Sequence, residues 1–348
     1  MKIFAMLIVI LISNVVHAND LSTFYEGRYN FLKDYLNKLE TFKKKDSKFK
    51  GSVVETMRGA FYSSFGPYNQ NKVDNRALVN CKKDGGLGCK VRFQSFKKNE
   101  NYNRFAQFDS SKNILYSLDD QIKSQIVNGL NGVRFLKSLE NFNRKDFGCT
   151  ENTKPFTEAV NIIKDEINIY PQDFLNKSGL KFIMLCDDIT SDSKLTILGL
   201  APVHYDQTAG VFWISINAIN NTRLISDNKI NKTKNVFHHE YYHIIDSNLT
   251  NVIMDKEWEA INKNPYSNTP LGGGLDFDNS IKGFATEYSR NNQSEDKAEL
   301  FTMLITRNKD IKKLLKKDEI LYQKAKLLIK RLKSISPTIN KDFWNKLN

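Results

Sequence analysis

The sequence predicts an α+β chain, on three observations. Short apolar runs punctuated by glycine, asparagine and aspartate read as strands between residues 76 and 118 and again between 180 and 216. Helical periodicity dominates from Asn235 to Asp246 and again from Tyr288 onward. The composition, 40% hydrophobic and 26% charged over 348 residues, is that of an ordinary soluble chain with room for one or two domains.

Residues 1–18 stand apart. Lys2 gives a positive start, Ile3 to Ile12 is an apolar run, and Val16-His17-Ala18 fits a small-residue cleavage site. This pattern predicts a secretory signal peptide, too short to span a membrane as a mature helix. No later run approaches about 18 apolar residues, so no stable membrane insertion is expected and the product is periplasmic or secreted. Four cysteines suit an oxidising compartment, with three possible connectivities. Cys81 and Cys89 flank a glycine-rich loop that a bridge closes readily, which leaves Cys149 with Cys186.

Residues 19–150 read as an N-terminal α+β region of unassigned role. Residues 19 to about 68 read as helical from Phe24, Phe31, Leu32, Tyr35, Leu36 and Leu39, with a charged break at Lys43–Lys50. Arg76–Leu118 turns β-like, and Leu118–Leu139 reads as helical again. Residues 151–348 are expected to form the second domain. There, Lys154–Ile169 is an amphipathic helix candidate and Leu180–Cys186 a buried strand. Strands follow at Ile197–Ala201 and Ala209–Ile216, with His204 in the loop between them.

The stretch from Asn235 to Asp246 contains His239-Glu240-Tyr241-Tyr242-His243. Residues four apart share a helix face, so His239 and His243 present two imidazoles to one metal ion, and Glu240 lies beside them. This is the H-E-x-x-H arrangement: two histidines bind zinc, the metal acidifies water, and the carboxylate serves as general base. Of the five histidines in the chain, three fall in this stretch. His238 points off the ligand face, while Phe237, Tyr241, Ile244 and Ile245 form the opposite, apolar one. Asp246, a turn beyond His243, is a candidate to orient a ligand histidine or to solvate the helix end.

A catalytic zinc takes three protein ligands. Glu295 and Glu299 are four apart on a strong helical pattern, so one can bind the metal while the other receives a histidine N–H. At this point the sequence resembles the gluzincin metallopeptidases related to the anthrax lethal factor catalytic domain and the secreted Pro-Pro endopeptidases. In that pattern a tyrosine precedes a glutamate by seven residues and a second glutamate follows four later, as in Tyr288, Glu295 and Glu299 here. Trp258-Glu259-Ala260-Ile261-Asn262 and Glu295-Asp296-Lys297-Ala298-Glu299 also resemble bacterial zinc-binding peptidases carrying Trp-x-x-(Leu/Ile)-Asn and Glu-Asp-x-Ala-Glu segments. The resemblance covers roughly residues 154–307, with His238 and Lys297 as departures.

The resemblance implies a zincin-like domain: a small twisted sheet, an active-site helix and a helical C-terminal subdomain. It implies one zinc per chain, Glu295 as third ligand, Glu299 as its support and Tyr288 as the hydroxyl that stabilises the oxyanion. It also makes Val211, Phe212 and Trp213 the candidate cleft-edge strand for an extended peptide. The expected activity is that of an exported zinc endopeptidase on protein or peptide substrates. The alternatives are a zinc amidase acting on a cell-wall or other non-protein amide, and a non-catalytic binding protein of the same fold. The glycine triplet at 272–274 marks a loop near the expected cleft. Beyond Asn308 a basic helical pattern with an apolar stripe reads as a core-closing helix. The net charge of +13 is compatible with anionic partners, but it reads first as solubility with a basic bias; no nucleic-acid motif is present and nucleic acid is not an expected partner.

Overall fold

The structure, a computed structural model, describes residues 21–55, 61–84, 89–95, 97–98, 105–109, 114–117, 123–139, 141–143, 147–153, 156–191, 197–201, 210–221, 229–249, 255–267 and 280–347. The expected signal peptide at 1–18, His204 and the glycine triplet at 272–274 lie outside them. Two compact units are present: one of residues 27–102, the other of residues 21–26 and 103–348 among those described.

The first unit runs through α1 (Leu21–Lys45) from residue 27 on, β1 (Lys50–Glu55), β2 (Phe61–Gly66), α2 (Gln70–Lys83), β3 (Lys90–Gln94) and β4 (Lys97–Lys98). The strands form an antiparallel sheet in the order β2-β1-β3-β4. Tyr35, Leu36 and Leu39 bury one stripe of α1. The helix expected from 19 to about 68 ends at Lys45, because Val53 and Val54 are β-branched and fully buried in β1. The β-like reading from Arg76 starts too early. Asn69 caps α2 by accepting the Lys72 N–H, and that helix continues to Lys83. The Cys81–Cys89 bridge then ties its end to β3.

The second unit begins with β5 (Phe105–Asp109), β6 (Ile114–Ser117), β7 (Lys123–Leu130), β8 (Val133–Ser138), β9 (Phe142–Asn143) and β10 (Phe147–Cys149). Then come α3 (Thr157–Asn168), α4 (Gln172–Ser178), β11 (Phe182–Cys186), β12 (Ile189–Ser191), β13 (Gly199–Leu200) and β14 (Val211–Ser215). Next are α5 (Ile216–Asn221), α6 (Lys229–Leu249), α7 (Lys256–Ile261), a 3-10 turn (Tyr288–Arg290) and α8 (Gln293–Thr306). The unit closes with α9 (Asn308–Leu315), α10 (Glu319–Ile335) and α11 (Lys341–Lys346).

A seven-stranded sheet orders as β13-β14-β11-β8-β7-β6-β5, with β8, β11 and β14 parallel and the rest antiparallel. β14 is buried at every residue, as expected of a strand covered on both faces. The helix expected at Leu118–Leu139 is instead the β7–β8 hairpin. Asn131 and Gly132 form its two-residue turn at φ 53° and 85°, the left-handed pair that suits strand twist. Because β8 pairs with β11, residues 123–138 share a sheet with the strands at 182–215, and the division expected near 150 moves to about 102. A small sheet β12-β10-β9 is fastened to β11 by the Cys149–Cys186 bridge. Both expected cysteine pairs are therefore present.

The main core lies between this sheet and the helices, with α3, α4 and α8 packed against α6. The basic C-terminal pattern is two helices, broken where Asp318 caps α10. Ile311, Leu321, Leu328 and Leu332 are buried there, so the pattern closes the core. Among the described residues no helix is long and apolar enough to cross a membrane.

Candidate metal centre

Two helices bring the site together. On α6, Phe237, Tyr241, Ile244 and Ile245 are fully buried, which fixes the helix rotation and turns His239 and His243 toward α8. On α8, Asn292 accepts the N–H groups of Ser294 and Glu295 and so starts the helix at Gln293. Glu295 then falls in the first turn, where the helix dipole favours an anion, and Glu299 follows one turn later on the same face.

The ligand atoms of His239, His243 and Glu295 lie within 4.8 Å of one another. His239 Nε2 is 2.9 Å from Glu295 Oε2 and 3.1 Å from His243 Nε2, and His243 Nε2 is 3.5 Å from Glu295 Oε2. Zinc–ligand bonds of about 2.0–2.1 Å in tetrahedral geometry set ligand atoms about 3.3 Å apart. The three atoms thus fit one zinc ion. The far nitrogens agree with that use. His239 Nδ1 meets Glu299 Oε1 at 2.7 Å, and His243 Nδ1 meets Ser294 Oγ at 3.1 Å. A neutral imidazole that donates from Nδ1 would turn its Nε2 lone pair to the common point, as a metal ligand requires. Glu299 is itself held, its other oxygen accepting the Thr286 hydroxyl at 2.8 Å.

The electrostatics follow from burial and neighbours. Burial pulls His239 down, but its hydrogen bonds with Glu295 and Glu299 outweigh this and hold it well above an ordinary imidazole. Burial raises Glu295, yet the charge of His243 and hydrogen bonds from both imidazoles keep it below the usual carboxylate range. Glu240 is raised, chiefly by burial, while the two histidines pull it back. Its carboxylate accepts the Ala201 backbone N–H and packs on β13. Tyr288 is half-buried in the 3-10 turn, its ring centroid 5.8 Å from that of His239.

Other expected residues sit elsewhere. Val211, Phe212 and Trp213 are interior, since β14 has β11 on one side and β13 on the other. Among the described residues the sheet ends at β13, so its edge strand there is Gly199–Leu200, too short to announce itself as a strand. Asp246 accepts the Lys297 ammonium on both oxygens, at 2.9 and 2.7 Å, an ion pair joining α6 to α8. Asp246 orients neither imidazole, because the Nδ1 atoms of His239 and His243 meet Glu299 and Ser294. His238 is fully buried behind the site, with Nε2 2.8 Å from Glu166 and Nδ1 2.8 Å from Tyr170 Oη. The two departures noted in the sequence, His238 and Lys297, are thus both structural.

Sequence reasoning missed Thr286, Ser294, Gly199 and Glu166. Ser294 was within reach, as the residue before Glu295 in the first turn. Glu166 stands 72 positions from His238 and left no sequence signal. The structure also joins the Trp258 and Glu295–Glu299 segments directly. Trp258 Nε1 donates to Asp296 Oδ2 at 3.0 Å, one residue along α8 from Glu295.

Residues 155–345 match the model of one protein family, described as putative zinc-binding metallo-peptidase. No curated protein and no solved structure gives a significant match.

Proposed function

Because the chain belongs to this family of zinc-binding metallo-peptidases, we propose that it is an exported zinc endopeptidase with Glu240 as general base. The observation that carries the reading is the convergence of His239 Nε2, His243 Nε2 and Glu295 Oε2, each histidine backed at Nδ1, beside a buried glutamate. Zinc, when bound, supplies the Lewis acidity that polarises a scissile carbonyl and acidifies water. Glu240 takes the proton of the attacking water on its carboxylate and passes it to the leaving amine nitrogen. The Tyr288 hydroxyl donates to the developing oxyanion. Glu299 accepts the Nδ1–H of His239, which orients the ring and directs Nε2 toward the metal position. The two disulfides favour an oxidising, exported location.

The first test is metal content. Purified protein is expected to hold about one zinc per chain, and Glu295→Ala is expected to lose it. Glu299→Ala is expected to retain zinc with about 10–100-fold weaker affinity, the usual effect of removing a supporting carboxylate. Zinc lost on Glu299→Ala and kept on Glu295→Ala would exchange the two roles. A folded wild type without affinity for zinc would sink the peptidase reading.

Gly199 provides a second test. A Cβ there would lie 2.6 Å from Val236 Cγ1, 2.8 Å from Glu240 Cγ and 3.0 Å from Glu240 Oε1, so Gly199→Ala must displace β13 or the glutamate. Misplacing a reacting group by about 1 Å can cost about 10²-fold. Gly199→Ala is expected to lower kcat by that order on an unstructured protein substrate, with zinc content unchanged. A wild-type rate would show that Glu240 does not depend on this contact.

A further inference from the structure

The charge of the chain is concentrated in one unit. Residues 27–102 hold 17 lysines and arginines against 7 aspartates and glutamates, a net +10, whereas residues 103–348 carry 34 against 30, a net +4. All residues of the metal centre lie in the second unit.

Part of it is organised on α2. At 100° per residue, Lys72, Arg76, Val79 and Lys83 fall within an arc of about 60°. Val73, Asp74, Ala77 and Cys81 take the opposite side and are buried. The outward stripe is free of acid, since the one acidic residue within the helix is the buried Asp74. Lys72 and Lys83 are exposed, and among the described residues neither makes an ion pair. Lys72 Nζ and the Arg76 guanidinium both lie over the Tyr68 ring, at 4.4 and 4.9 Å from its centroid. In the middle of the stripe stands Val79 at 61% exposure, more exposed than any other large hydrophobic side chain among the described residues. Lys44, Lys45 and Lys48 add exposed cations at the end of α1 and just beyond it.

We propose that this face of α2 docks the protein on an anionic phospholipid surface. Thirteen of the 17 cations are lysines, which act as point charges toward a field of phosphates, whereas planar recognition of one group favours arginine. Each lysine near an anionic leaflet contributes about 1 kcal/mol, falling off within a Debye length. A solvent-facing valine flanked by cations and a tyrosine gains from burial at a lipid headgroup boundary, and it gains nothing from a dissolved polyanion. The docking is peripheral, consistent with the absence of a membrane-crossing helix among the described residues. It is independent of the peptidase reading.

The test is co-sedimentation of the full chain with vesicles of phosphatidylcholine alone or mixed with phosphatidylglycerol, at low and high salt. Tight binding is expected only to the mixed vesicles, and high salt should weaken it. Lys72→Glu/Lys83→Glu is expected to bind at least about 30-fold more weakly, since two lysines at about 1 kcal/mol each already account for that factor. The charge-matched Lys326→Glu/Lys330→Glu, at exposed positions of α10, is expected to bind within about threefold of wild type. Val79→Ser should weaken vesicle binding and leave binding to soluble polyphosphate unchanged. Equal binding to neutral vesicles, no binding to either, or equal loss in the α10 variant would overturn the proposal. So would a Val79→Ser variant of wild-type affinity, which would make the face a polyanion site. Circular dichroism and the melting temperature of each variant separate loss of binding from loss of fold.

Discussion

Glu240→Gln is expected to lower kcat/KM on an unstructured protein by about 10²–10⁴-fold, the range that general acid–base groups contribute, with zinc content at the wild-type level. The expectation rests on where the side chain lies. Glu240 is buried, one residue from a ligand histidine, with its carboxylate against β13 and the Ala201 N–H. Glutamine fills the same volume under Gly199 and still offers an acceptor to Ala201, so packing and the ligand set survive. What it lacks is a basic oxygen. An unchanged rate would move the base elsewhere, whereas loss of zinc together with activity would place Glu240 in the ligand set. Glu240→Gln and Gly199→Ala should also combine less than additively, because both act through one carboxylate. A fully additive pair would separate the glycine from the base.

How much of this was legible in the sequence depended on the range of the interaction. His239 and His243, and Glu295 and Glu299, are one helical turn apart, so local periodicity alone puts each pair on one face. The Cys81–Cys89 bridge closes a short glycine-rich loop, and β11 is a compact apolar run. The contacts that position these groups are long-range and left little trace. Thr286 reaches Glu299 from a turn 13 residues upstream, and Lys297 on α8 pairs with Asp246 51 residues back on α6. Two errors were local and avoidable. Asn131-Gly132 is a strong two-residue hairpin signal inside the segment read as helical from the sequence. The edge strand was placed on the most apolar segment, β14. Apolar character marks the middle of a sheet, and the edge fell to a two-residue strand containing glycine.

Replacing Lys324 by methionine is expected to destabilise the protein by about 3–5 kcal/mol, the cost of stripping one partner from a buried ion pair. Lys324 and Asp296 are both fully buried, with Nζ 2.6 Å from Oδ2. The same oxygen receives Trp258 Nε1 and Tyr266 Oη, each at 3.0 Å, and Lys324 also donates to the Gly283 carbonyl at 2.6 Å. Burial pushes the Asp296 carboxyl up and the Lys324 ammonium down, and the charge and hydrogen bond of each partner oppose the shift of the other. Methionine matches the lysine stem but leaves Asp296 with two neutral donors and an uncompensated charge in the core. Against a total stability of about 5–15 kcal/mol, the melting temperature should fall by on the order of 10 °C. Removing both charges, in Asp296→Asn with Lys324→Met, should recover most of the loss, and that recovery distinguishes a lost charge partner from a packing defect. Asp296 stands next to Glu295 on α8, about 100° further round the helix. The pair ties the ligand-bearing helix to α10, so the single variant should also bind zinc more weakly while the double recovers it. A single variant within about 1 kcal/mol of wild type, or a double no better than the single, would remove the pair from the account of how α8 is held.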